Sequence, residues 1–202
     1  MKSRLSLAVG ARRAWELGFV LLLALMLSFV TLRAEEYAVA QQRIERFFPD
    51  AERSAPEGDY RVRTLTRGGD VLGYAFQTID VVDIPAYSGK PINLQVLLDP
   101  QGVIVDAYVL EHHEPILLIG IPEEKLHAFT ARYGGIRVDQ RVVVGRSSDD
   151  RAVTIDAVTG ATVTVMVVNE VVMRAAHEVA LSLGLVDSTV GLARKPATVR
   201  EN

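Results

Sequence analysis

Asp156-Ala157-Val158-Thr159-Gly160-Ala161-Thr162-Val163-Thr164 marks the point where the chain changes character. Upstream lie short Val-, Ile- and Leu-rich runs punctuated by Gly, Pro and Asp; downstream, one long apolar segment runs to Gly184. Strands followed by a helix predict an α+β fold, with antiparallel β-hairpins packed against helices. The stretch itself is small, hydroxyl-rich and bent at a glycine. Small residues let a backbone approach a bulky group closely. A helix that starts just after them offers unpaired N–H groups and a positive dipole end to a phosphate, with the Thr162 hydroxyl beside it. An ordinary capped helix start also accounts for the same residues.

Downstream, Val163 to Val172 would suit a strand by composition, but Glu170, Arg174, His177 and Glu178 recur at helical spacing. The reading is one mostly buried helix over 162–183, stopped at Gly184. It places His177 on the surface and Met166 in the core. Upstream, Tyr60–Thr66 and Val71–Thr78 flank Arg67-Gly68-Gly69-Asp70, a hairpin in which Leu72, Tyr74 and Phe76 would share a face. A second hairpin pairs Ile92–Leu98 with Val103–Leu110 around Asp99-Pro100-Gln101-Gly102. Pro122, Glu123 and Glu124 open a helix to about Arg132, and Val142–Val144 and Ala152–Ile155 are short strands. Glu35 to Phe48 is a further helix, ended by Pro49.

Glu111-His112-His113-Glu114-Pro115 places four side chains of ligand type in a row. Neighbours at a strand end point to opposite faces, so at most two of them could meet one ion, and no metal site is expected. A polar strand end closed by proline is the plain alternative.

Thr159-Gly160-Ala161-Thr162, with Asp156 three residues before it, resembles the S/T-G-A-T flavinylation motif. That motif belongs to the FMN-binding domains of sodium-pumping NADH:quinone oxidoreductase subunits, Rnf complexes and NosR/NirI-type regulators of denitrification. Glu111, His112, Glu114, Pro115 and Gly120 are similar to the loop that lies against the flavin in that family, although its Thr-Pro-Gly is Pro115-Ile116-Leu117 here. Together with Tyr87-Ser88-Gly89-Lys90-Pro91-Ile92, this loop most resembles the NosR/NirI branch. The resemblance covers roughly residues 35–185. It implies FMN esterified to Thr162, with Thr159, Gly160, Ala161, Asp156, Glu111, His112, Glu114 and Gly120 around it. It also implies a separate flavin transferase that consumes FAD and reads Asp156 as part of its recognition site.

Composition narrows the rest. The net charge of −3 leaves no broad basic face for nucleic acid, and the absence of Cys excludes disulfides, thiolate catalysis and Cys-ligated iron–sulfur clusters from this chain. There is no G-x-G-x-x-G fingerprint for a dinucleotide. Electrons would therefore enter and leave through partners, which makes the chain an electron-transfer component rather than a stand-alone enzyme. Lys2, Arg4, Arg12 and Arg13 precede an apolar run from Leu17 to Leu32, which predicts a membrane anchor or signal sequence over 1–34 with the remainder exported to the periplasm. Residues 35–186 form the expected domain, and 187–202 an expected disordered tail. The NosR branch implies membrane electron-transfer subunits or a quinol-linked donor, serving a nitrous oxide reductase system. A flavin-based sensor of denitrification and a non-flavin exported binding module remain open beside it.

Overall fold

The computed structural model describes residues 19, 21–26, 34, 36–115, 117 and 120–187. The chain separates into two compact units, Met1–Gln42 and Arg43–Asn202. In the first, residues 19, 21–26, 34 and 36–42 are helical, and Leu21, Leu22, Leu23, Leu25 and Met26 are exposed. Among the described residues, no helix is long and apolar enough to cross a membrane. Most of the expected membrane segment, and the expected tail beyond Asp187, lie outside the described residues.

The second unit is built on a five-stranded antiparallel sheet whose strands lie in chain order: β1 (Glu52–Arg53), β2 (Arg63–Arg67), β3 (Asp70–Gln77), β4 (Asn93–Leu98) and β5 (Ile104–Glu111). The β4–β5 hairpin is closed by Asp99, whose Oδ1 accepts the N–H groups of Gln101 (2.9 Å) and Val103 (2.8 Å). Every residue of β4 is buried, because both sheet faces are covered. On one face Leu94, Val96 and Leu98 join the main core with α1 (Glu123–Thr130) and α2 (Thr162–Ser182). On the other, Leu97 packs with Ile44, Phe48, Leu65 and Ala75. This is the period-two alternation of a strand with apolar layers on both sides.

Helix α2 turns Val165, Val168, Val172, Ala175, Ala176 and Val179 inward, at the i, i+3, i+4, i+7 spacing of a buried stripe. Valine is a mediocre helix former, costing up to about 0.7 kcal/mol per residue against alanine. Burying each such side chain returns roughly 1.5–3 kcal/mol, so packing decides the outcome.

Two local expectations are corrected. Leu72 does not share a face with Tyr74 and Phe76: the β2–β3 register slips between Leu65 and Thr66, so Leu72 packs in the smaller cluster while Tyr74 and Phe76 join the main core. The β-bulge reverses side-chain direction there. His177 is buried, 8% exposed, whereas Met166 is 56% exposed, the reverse of the sequence reading. Both lie near the edge of the polar stripe, and which one is covered depends on distant loops. The Arg137–Gln140 turn approaches His177, whose charge helps hold the Asp139 carboxyl low after the larger effect of the Arg137 hydrogen bond. The two short strands are present as β6 (Val142–Val144) and β7 (Val153–Ile155), and they pair in parallel as a second, two-stranded sheet.

Candidate functional site

The site begins where β7 ends. Asp156 follows Ile155 directly, its side chain 91% exposed and paired with Arg132 (Nη1–Oδ2 3.2 Å). Gly160 turns the chain with φ +85°, and a Cβ there would stand 3.2 Å from Ile121 Cδ1. The motif therefore rests on the end of the 111–121 loop, at the residue next to Gly120. Ala161 is the N-cap of α2 and is itself buried.

Among the described residues, no side chain caps α2. The first intrahelical bond runs from Val165 N to Ala161 O (3.0 Å), so the N–H groups of Thr162, Val163 and Thr164 lie in the turn that precedes it. Thr162 and Thr159 are exposed at this mouth. A helix of 21 residues with an open N-terminus presents partial positive charge to whatever anion stands there.

Glu114 has a different surrounding from the other candidates. It is fully buried, at 0% exposure. Its Oε2 accepts the Thr164 hydroxyl at 2.8 Å, and its Oε1 accepts the Ser88 N–H at 2.9 Å. One carboxyl group thus ties three segments together: the 85–91 turn, the 111–121 loop and the first turn of α2. In this conformation Glu114 braces the helix start and faces no solvent.

His112 turns another way. Its Nε2 lies 3.7 Å from Glu123 Oε1, and His127 Nε2 lies 3.6 Å from the same oxygen. His127 stacks on Tyr108 (centroids 4.3 Å apart), and Arg43 covers that ring while pairing with Asp106 at 2.5 and 2.8 Å. Burial holds the His127 imidazole below its ordinary value; Glu123 opposes this, and the charges of Arg43 and His112 add to it. Among the described residues, no group of three or more His, Cys, Asp or Glu is placed to hold a metal ion.

The structure therefore joins Thr159, Gly160, Ala161 and Thr162 into one turn on the Ile121 end of the loop, exposed at every residue but Ala161, and reaches Glu114 through Thr164. Glu111 pairs in register with Asn93 at the end of β5 and lies 3.8 Å from His113. Thr164 and Ser88 stand within stretches quoted from the sequence, but the sequence assigns no contact to them or to Ile121. A hydroxyl two residues past the motif and a buried glutamate in a loop become partners only after the sheet and helix pack. A separate cleft of about 430 Å³, lined by residues including Glu57, Asp59, Tyr60 and Ser182, lies at the far end of α2. That is roughly 30 Å along the helix from Thr162.

An antiparallel sheet backed by a helix with an uncapped, glycine-bent N-terminus defines an α+β domain in which an exposed threonine stands at that helix start. Residues 87–177 match the FMN-binding domain family, and the chain contains a domain of that family. It is 66% identical to "Regulatory protein NosR" of Stutzerimonas stutzeri over 96% of this chain, and 65% identical to that of Pseudomonas aeruginosa over 93%. It is 31% identical to "Protein NirI" of Paracoccus denitrificans over 60%. The chain spans 27%, 26% and 17% of those three relatives, respectively. Among solved structures it is similar to NqrC of Shewanella oneidensis, with a TM-score of 0.39 and 20% identity over 62% of this chain and 61% of that one.

Proposed function

We propose that the domain is an exported carrier of FMN, joined by a phosphoester to Thr162, that passes electrons within a NosR/NirI-like system supporting nitrous oxide reduction. The observation that carries this reading is the exposed Thr162 hydroxyl at the uncapped start of α2, inside the region matched to the FMN-binding family. The residues present fit such a group. Its phosphate would sit at the N–H groups of the first turn, where the helix dipole favours negative charge. Gly160 and Ala161 keep the approach narrow, and a larger residue at Gly160 would meet Ile121. Asp156 is exposed at the edge of the motif, a suitable mark for a flavin transferase to read.

Bound FMN supplies the redox chemistry, while the protein supplies position and electrostatics. Here the start of α2 would hold the phosphate, and the Glu114 bridge fixes that first turn. A covalent tether also suits a location outside the cytoplasm, where a dissociated flavin would be lost. The exposed leucines of the first unit support a membrane anchor or signal for residues 1–34. A donor linked to quinol, or membrane electron-transfer subunits, would then reduce the domain in the periplasm.

A second reading is favoured by the relatives themselves, two of which are named regulatory proteins. In it, the flavin's redox state alters contacts with a partner and no electrons are delivered onward. Stopped-flow reoxidation by a candidate acceptor separates the two.

The test of the attachment is direct. The full chain is co-expressed with a flavin transferase, denatured, and examined by intact mass and in-gel fluorescence. Wild type gains the mass of one esterified FMN, and Thr162→Ala gains none. Flavin that washes away on denaturation, or that persists in Thr162→Ala, overturns the reading.

A further inference from the structure

We propose that Tyr87 is the aromatic wall against which the ring of a flavin held at Thr162 rests. This builds on the anchoring proposed above and adds a residue outside the motif and the 111–120 loop. Tyr87 is 75% exposed, more than any other large apolar side chain among the described residues. A single exposed aromatic carries little information. Its setting carries more.

The turn that presents Tyr87 is rigid. Pro85 and Pro91 form a bridge across its base, Ala86 N donates to Lys90 O (3.0 Å), and Gly89 N donates to Ala86 O (2.9 Å). The Ser88 hydroxyl accepts the Lys90 N–H at 3.3 Å. An exposed tyrosine on a stiff turn keeps one place and loses little entropy on covering a ligand.

That turn is also fastened to the anchor. Ser88 N donates to one oxygen of Glu114, and the Thr164 hydroxyl donates to the other. A single buried carboxyl group therefore separates the Tyr87 turn from the first turn of α2, two residues beyond Thr162.

The surface of α2 beside Thr162 carries exposed apolar side chains. At about 100° per residue, Thr162, Met166 and Val163 fall in one sector of α2, and Thr164 lies about another 100° beyond Val163. Val163 is 59% and Met166 56% exposed. A ring tethered at Thr162 and laid over Met166 and Val163 is carried toward the side where Thr164 and the Tyr87 turn stand. Offset stacking is the contact that a phenol ring and a flat heteroaromatic prefer.

The experiment uses the full chain flavinylated by co-expressed transferase. Flavin emission and visible circular dichroism are compared for wild type, Tyr87→Ala, Tyr87→Leu and Tyr87→Trp, with thermal melts on each. A phenol or indole against the ring quenches its emission. The expected result is a dim wild type, a several-fold rise in emission for the Ala and Leu variants, and a dim Trp variant, with unchanged melting. Flavinylated wild type that matches Tyr87→Ala in emission and dichroism overturns the place given to Tyr87 and leaves the anchoring intact. Wild type that carries no flavin after denaturation overturns the anchoring, and this inference with it.

Discussion

Gly160 and Glu114 carry the tightest local constraints at the site. A Gly160→Ala chain must place a Cβ at φ +85° and within 3.2 Å of Ile121 Cδ1. The left-handed backbone alone costs on the order of 1 kcal/mol for a non-glycine residue, and the contact adds to it. We expect a lower melting temperature and a smaller flavinylated fraction, measured on the same preparation. Glu114→Ala would leave the Ser88 N–H and Thr164 hydroxyl without their acceptors in a buried site. At about 1–3 kcal/mol for each stranded group, the loss should reach several kcal/mol in urea unfolding. Glu114→Gln keeps one acceptor oxygen and should fall between wild type and alanine. Equal stability of all three chains would show that the bridge contributes nothing.

Among the elements, the β3 strand and the β4–β5 turn hold the platform beneath α2. Gly73 lies where β3 passes under Phe48. A Cβ there would stand 2.4 Å from Leu98 O and 2.7 Å from Phe48 Cζ. Gly73→Ala must push the strands or the phenyl ring apart, and overpacking of this kind costs typically about 1–3 kcal/mol. A shift of the urea midpoint, with unchanged slope, is the expected readout. Asp99→Ala removes the acceptor for two N–H groups in the β4–β5 turn. A loss of about 1–2 kcal/mol is expected, with no change in flavin attachment, because the turn touches none of the site residues. The bulge at Leu72 and the burial of His177 escaped a reading by periodicity for a common reason. Each depends on what packs across from the residue, and the local pattern is the same either way.

At the level of the folded unit, acid stability should decline in two stages. The His127 imidazole is held below its ordinary value, chiefly by burial. The folded state therefore takes up this proton less readily than the unfolded chain, and stability falls as pH drops below about 6.5. Asp139 is held low, chiefly by its hydrogen bond from Arg137. Its contribution is complete above the usual carboxylate range and is lost as pH falls through its lower folded value. Equilibrium unfolding from pH 7 to 3 should show both, and His127→Phe, which keeps a ring on Tyr108, should flatten only the first. An unchanged upper stage in that variant would remove His127 as its source.

The architecture and the motif were legible in the chain because they rest on local rules. Alternating apolar residues, the Asp99–Gly102 turn and the change of period after Gly160 specify hairpins followed by a helix, and Thr159–Thr162 falls at that junction, inside the region that matches the FMN-binding family. Which side chains meet across the site was settled only by packing. Glu114 reached Thr164, His112 and His127 converged on Glu123, and β6 paired in parallel with β7. Contacts between residues far apart in sequence depend on how the sheet and α2 close on each other, and no local periodicity records that closure.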